Sequence, residues 1–298
     1  VICEKPLSGY FGSEGDKKPI GAQVSKKTMY ERVLESLDGL AEEVTRSSAR
    51  FFYAENMLYA PAVLKIAQII TSKKSKVLFI RAITALKGSS SSLAGDWQGT
   101  GGGPLARNGV HPLAVLLWLK RVEAQARGEA ITVSSVIADA GTTTAGLSEY
   151  EHRHISAQPV DVEDNAVLLL TFSDGTKASV FASDTALGGT RNQIQVYCND
   201  AALECNLTPT DMLQTYFLDE DGIEDMVLAE MLPAKTGWNR AFVSDDVIRG
   251  YSAELQHFCE AIVTGNETHS DFSLARLVTE VIYAGYNSAE EGRRIVLQ

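Results

Sequence analysis

From Thr28 onward apolar residues recur at steps of three and four, at Met29, Val33, Leu37, Leu40 and Val44, with acidic residues on the opposite side. That period predicts an amphipathic helix. The stretch 8–27 before it, rich in Gly, Ser and Lys, has no hydrophobic period and reads as a surface loop. Two short apolar runs bracket the helix. Val1-Ile2-Cys3 reads as the end of a buried strand, and Arg50 to Ala54 as a second one. Strand, helix and strand over the first 55 residues form one βαβ crossover unit. A single such unit cannot cover both faces of a sheet, so the chain reads as starting inside a domain.

Beyond residue 56 the pattern changes. Pro61 suits the first turn of a helix that carries Val63, Ile66 and Ile70 on one face. Lys76 to Thr84 reads as a strand, and 87–103, rich in Gly and Ser around Trp97, as a mobile loop or lid. Leu105 to Val122 is apolar and helical. Strand-like runs follow at 131–138, 165–172, 177–183, 191–198 and 201–207. Ser173-Asp174-Gly175-Thr176 is the clearest hairpin turn among them. Two helices close the chain, one with Leu255, Phe258, Cys259 and Ile262 on a face and Gly265 as its stop. The other shows Leu274, Val278, Val281, Ile282 and Gly285 on a face. The expected fold is α+β, an open, mostly antiparallel sheet at 56–298 with helices on one face, preceded at 1–55 by the last βαβ unit of a Rossmann-type domain. The strand at 165–172 has apolar side chains on both faces, which predicts a partner on the uncovered one.

A net charge of −11 argues against nucleic acid or an anionic membrane as partner. Seven carboxylates and no basic residue lie between Asp211 and Glu230, which reads as a solvated acidic segment. The four cysteines show no CxxC pair; Cys198 and Cys205 flank a turn and are candidates to face each other across it. They read as reduced thiols of a cytoplasmic protein. No stretch reaches the ~18 apolar residues a membrane span needs.

Lys5 stands at the carboxyl end of the first strand, where open α/β sheets bind ligands. An ammonium there stabilises the alkoxide that develops when a carbinol gives up hydride. His111 follows Gly101-Gly102-Gly103 and enters a very apolar stretch, where an unpartnered imidazole would be costly. If one helix runs through, Arg107 lies at i, i+4 from His111, and a cation there would lower the imidazole's pKa. His152-Arg153-His154, ahead of Asp161, Glu163 and Asp164, has the donors and acceptors of a sugar-binding loop, extended by Gly188 to Asn192; zinc is the minor reading. No GxGxxG turn occurs in the sequence.

Four stretches in this order, Glu4-Lys5-Pro6, Tyr53-Ala54-Glu55-Asn56 with Tyr59-Ala60-Pro61, the triple glycine running to Gly109-Val110-His111-Pro112, and Ser288 to Arg293, resemble the glucose–fructose oxidoreductase / inositol dehydrogenase (Gfo/Idh/MocA) family. The resemblance implies an NAD(P)-dependent enzyme that oxidises a sugar or cyclitol hydroxyl and pairs sheet against sheet. It makes Lys5 and His111 catalytic and sets Glu4, Lys5, Pro6, Glu55 and Asn56 beside NAD or NADP. By its chemistry Arg107 suits substrate oxygens, a cofactor phosphate or solvent; His152, Arg153 and His154 are expected to bind substrate, and no metal is expected. Common members carry an aspartate where Arg107 stands, which brings their proton relay into question here. The chain is expected to be inactive alone. The alternatives are a non-catalytic assembly or ligand-binding module and a redox-assisted glycoside cleavage.

Overall fold

The computed structural model describes residues 1–208, 213–218, 236–241 and 246–297. The seven-carboxylate acidic segment has all its carboxylates outside these residues.

The chain opens with β1 (Ile2–Glu4), a short α1 (Ile20–Gln23), α2 (Lys26–Arg46) and β2 (Phe52–Ala54). Strands β1 and β2 pair in parallel, Ile2 with Phe52 and Glu4 with Ala54, so the βαβ crossover is present. Ser25 starts α2 by accepting the Thr28 N–H, and Met29, Val33 and Leu37 form its buried stripe. The stretch 8–27 is more than a surface loop. It holds α1, and it buries Tyr10 and Ile20.

Next come α3 (Pro61–Lys73), β3 (Val77–Ala85), α4 (Trp97–Thr100), α5 (Pro104–Arg107), α6 (Val110–Arg127), β4 (Val133–Gly141) and α7 (Glu149–His152). Strands β5 (Asn165–Phe172), β6 (Lys177–Ser183), β7 (Arg191–Cys198) and β8 (Ala202–Asn206) follow. The ribbon β9 (Leu213–Phe217) and β10 (Gly237–Ala241), which the sequence pattern does not predict, is antiparallel. Then α8 (Asp246–Arg249), α9 (Tyr251–Thr264), α10 (Phe272–Glu291) and β11 (Ile295–Val296) end the chain.

Seven strands form one sheet in the order β11-β4-β5-β6-β3-β7-β8. All neighbours are antiparallel except β3 and β6, so the fold is α+β with a mixed, mostly antiparallel sheet. Side chains alternate in and out: Ile80 and Ala82, Ala178 and Val180, Leu168 and Leu170, Ile194 and Val196 are all buried beneath the helices. Helices α6 and α10 lie on that face, and α2 packs on α10. Helix α10 comes so close to the sheet that a Cβ at Gly285 would sit 2.4 Å from Leu168. The opposite face carries Phe79, Ile83, Val167, Phe181, Leu169 and Tyr197; Leu169 is 48% exposed and Tyr197 39%.

Three expectations need correction. Cys205 pairs with Ile194, not with Cys198, and all four thiols are free. Helix α9 buries Glu254, Phe258 and Ala261 and turns Leu255 and Ile262 outward, because its contact is with the turn after β2. The segment 97–103 is packed, with Trp97 only 1% exposed. Its indole N–H donates to the Tyr10 carbonyl at 3.0 Å, and its backbone N–H donates to Asp161.

Candidate functional site

The site forms where β1 and β2 end. Parallel pairing brings their carboxyl ends to one edge, so Lys5-Pro6 and Glu55-Asn56 lie side by side. The chain turns into the core after β2: Glu55 is fully buried and Asn56 is 5% exposed, its amide donating to the Arg249 carbonyl at 2.9 Å. Glu4 is exposed and Lys5 half-buried.

His111 reaches this edge from α6. Its Nδ1 lies 2.7 Å from Glu55 Oε1 and 3.0 Å from Oε2. A carboxylate only accepts, so Nδ1 carries the hydrogen and Nε2 is the nitrogen left for a ligand. Lys5 Nζ donates to the Arg107 carbonyl at 2.6 Å. Burial pushes the Lys5 ammonium's pKa down, against the upward pull of Glu55 and Glu4, and Arg107 adds to the lowering. Glu55 therefore acts on both basic groups.

The helix does not run through from Arg107 to His111. It ends at Arg107, Asn108 and Gly109 form a turn, and α6 starts at Val110. The i, i+4 pairing expected from the sequence is absent; the Arg107 guanidinium binds Asp184 at the end of β6 instead. Burial, opposed by Arg107, pushes the Asp184 carboxyl up. Behind Glu55 sits Glu254, 4% exposed, with one oxygen unpartnered. Burial, reinforced by Glu55 and Glu4, pushes its pKa up to about 8. It is mostly protonated at neutral pH.

Two cavities open here. One, of about 250 Å³, is lined by His111, Arg107, Asn108, Thr84, Asn192 and Tyr251 among others. The other, of about 450 Å³, is lined by Lys5, Pro6, Phe11, Thr100, Arg107 and Asn108. Arg107 and Asn108 form the wall between them. A positioned base, an ammonium and hydroxyl- or amide-bearing walls suit proton transfer to and from a hydroxylated molecule. Asp184 and Thr84 were missed by sequence reasoning, whereas Asn192, named with the loop 188–192, does line the His111 cavity. The sequence placed Glu55 beside a cofactor and gave no sign of its contact with His111. The only available signal was the cost of burying an unpartnered histidine.

His152, Arg153 and His154 are not brought to these cavities. They lie on and just after α7, where Arg153 covers the Tyr150 ring. The neighbouring carboxylates turn inward: Asp161 binds the N–H groups of Gly21 and Trp97, and Asp164 binds Thr143 and Thr144. Glu163, buried, accepts from Gly103 N–H, Leu105 N–H and the Tyr286 hydroxyl. The triple glycine serves this contact, since a Cβ at Gly103 would lie 2.0 Å from the Glu163 carbonyl. No group of three or more metal-ligating side chains occurs among the described residues. Among them no helix is long and apolar enough to cross a membrane.

The strand ends supply an ammonium, carboxylates and an amide at the position where dinucleotide folds hold the nicotinamide end, which fits that end of NAD(P). The glycine-rich turn that meets the pyrophosphate has no counterpart in the sequence.

A βαβ unit joined to an open mixed sheet, with a lysine, a histidine and a carboxylate where they meet, is an α+β arrangement. Residues 64–204 match the family model described as the GFO/IDH/MocA C-terminal domain. No curated protein matches the sequence. Among solved structures, GenD2 from gentamicin A biosynthesis in complex with NAD is 20% identical, covering 94% of this chain and 70% of its own, with a TM-score of 0.71. A putative myo-inositol dehydrogenase from Sinorhizobium meliloti is 17% identical, covering 100% and 73%, with a TM-score of 0.64. Myo-inositol dehydrogenase from Lactobacillus casei, in complex with NAD(H) and myo-inositol, is 12% identical, covering 100% and 70%, with a TM-score of 0.65.

Proposed function

We propose that the chain is the substrate-bearing part of an NAD(P)-dependent oxidoreductase that oxidises a hydroxyl of a sugar or cyclitol by hydride transfer. The observation that carries this reading is the His111 Nδ1 contact to buried Glu55, at the same sheet edge as Lys5. His111 Nε2 takes the hydroxyl proton, Lys5 stabilises the developing alkoxide, and Glu55 balances the imidazolium. Glu4, Lys5, Pro6, Glu55 and Asn56 border the nicotinamide ring, which when bound supplies the hydride acceptor. Arg107 contacts substrate oxygens from the wall shared by the two cavities. NAD and NADP both fit the reading, and residues 1–55 and 56–298 act as nucleotide-side and substrate-side units. The four free thiols suit a cytoplasmic setting. The open sheet face, with its apolar centre, suits pairing with a second copy.

One observation favours a second reading. The Arg107 guanidinium, held by Asp184 beside the His111 cavity, suits a ligand-binding module without catalysis. NADH titration of residues 1–298 is expected to give a Kd far weaker than micromolar, since pyrophosphate contacts are lacking. The deciding assay follows NAD(P)H formation with a panel of aldoses and inositols, using this chain joined to a dinucleotide-binding turn. Reduction with at least one polyol is expected. Cofactor binding without reduction by any of them leaves the module reading.

A further inference from the structure

Next to the His111 cavity lies a larger cleft of about 740 Å³. Its walls are the four consecutive serines Ser89–Ser92 and the run Ile155–Val160. Ser89 also lines the His111 cavity, so the two spaces share a wall. Asp184 ties them together a second time. It is 3% exposed and lines the cleft, and its Oδ2 accepts from Arg107, which lines the His111 cavity. Its Oδ1 is buried and has no hydrogen-bond partner. A buried carboxylate oxygen without a donor is costly, and a hydroxyl from a ligand would satisfy it.

The chemistry of the wall limits the occupant. Serine hydroxyls and backbone groups both donate and accept, as a polyol requires. No Lys or Arg lines the cleft among the described residues, while Asp184 places a carboxylate there. A phosphate or carboxylate would meet a like charge without a counter-ion, whereas a neutral hydroxylated unit would not. The volume lies within the range of small-molecule sites and is well above that of the His111 cavity.

We propose that this cleft is a second carbohydrate subsite, which seats a neutral glycosyl unit attached to the ring that lies beside His111. The ring that reacts is taken from the function proposed above; the cleft and its orphaned oxygen are not.

Binding without cofactor tests it. Glucose, galactose and mannose are compared with cellobiose, maltose, lactose and mannobiose by calorimetry and saturation-transfer NMR. At least one disaccharide should bind about tenfold or more tighter than its constituent monosaccharides, with both rings saturated. Ser91→Trp, at an exposed position of the serine wall, should fill the cleft and remove that gain. Disaccharides no tighter than monosaccharides, or an undiminished gain in Ser91→Trp, would overturn the subsite. A disaccharide preference with no NAD(P)H formed from any sugar would instead sink the oxidoreductase reading and leave a carbohydrate-binding cleft.

Discussion

A histidine whose Nδ1 is tied to a buried carboxylate can offer only Nε2 to a substrate, so tautomer and orientation are set before any ligand arrives. In the chain joined to its nucleotide-binding turn, His111→Ala and Lys5→Ala should each lower kcat about 10²–10⁴-fold, the scale for losing a positioned acid or base. Glu55 acts through His111 and is a positioning residue. Glu55→Gln should lower kcat about 10–100-fold while leaving KM nearly unchanged, and Glu55→Asp should restore part of it. Equal changes in KM and kcat across the three would assign Glu55 to the scaffold. Glu254 makes a prediction of opposite sign. Its pKa of about 8 lies above the unfolded value, so the folded chain keeps a proton that the unfolded chain releases. Its contribution is complete below about pH 4.5 and is lost as pH climbs towards 8. Glu254→Gln, which cannot ionise, should stabilise by about 1 kcal/mol at pH 8 after discounting for solvent screening, and leave stability at pH 4 unchanged. Thermal melts across that window measure it.

At the scale of elements, the patterns that were legible are those in which a period meets a buried face. Met29, Val33 and Leu37 mark α2, Pro61 opens α3, and residues 173–176 turn β5 into β6 as the sequence indicates. The site was legible in its parts but not in its pairings. Lys5, Glu55, Arg107 and His111 stand out by residue type and position, yet Glu55 meets His111 and Arg107 meets Asp184 only through tertiary packing, which no local period encodes. The helix break at Asn108–Gly109 escaped for a related reason. Glu163, from a distant loop, caps the start of α5, and the Asn108-Gly109 turn signal was outweighed by the apolar run around it. The glycine beside that carboxylate provides a test. Gly103→Ala should destabilise by about 1–3 kcal/mol or more, because its Cβ would lie 2.0 Å from a backbone oxygen. Gly39→Ala, mid-helix in α2 with nothing within 4 Å of the new carbon, should stabilise by about 0.5–1 kcal/mol. Paired chemical denaturation curves compare them.

At the scale of the whole molecule, one face of the seven-stranded sheet is covered by helices and the other presents Ile83, Phe181, Val167 and Leu169 in adjoining strands. Light scattering at tens of micromolar should show a dimer, the simplest closed arrangement for a self-complementary patch. Leu169→Lys, at a 48% exposed position, should return it to monomer with little change in melting temperature. A wild-type monomer at that concentration would mean that this face is not the interface. The topology also governs when the sheet can form. Strand β3 sits between β6 and β7, and its only partners are made roughly a hundred residues later in the chain. During synthesis both of its edges stay unpaired until β6 and β7 have left the ribosome. Until then the growing chain carries an unpaired apolar strand, an edge open to mispairing.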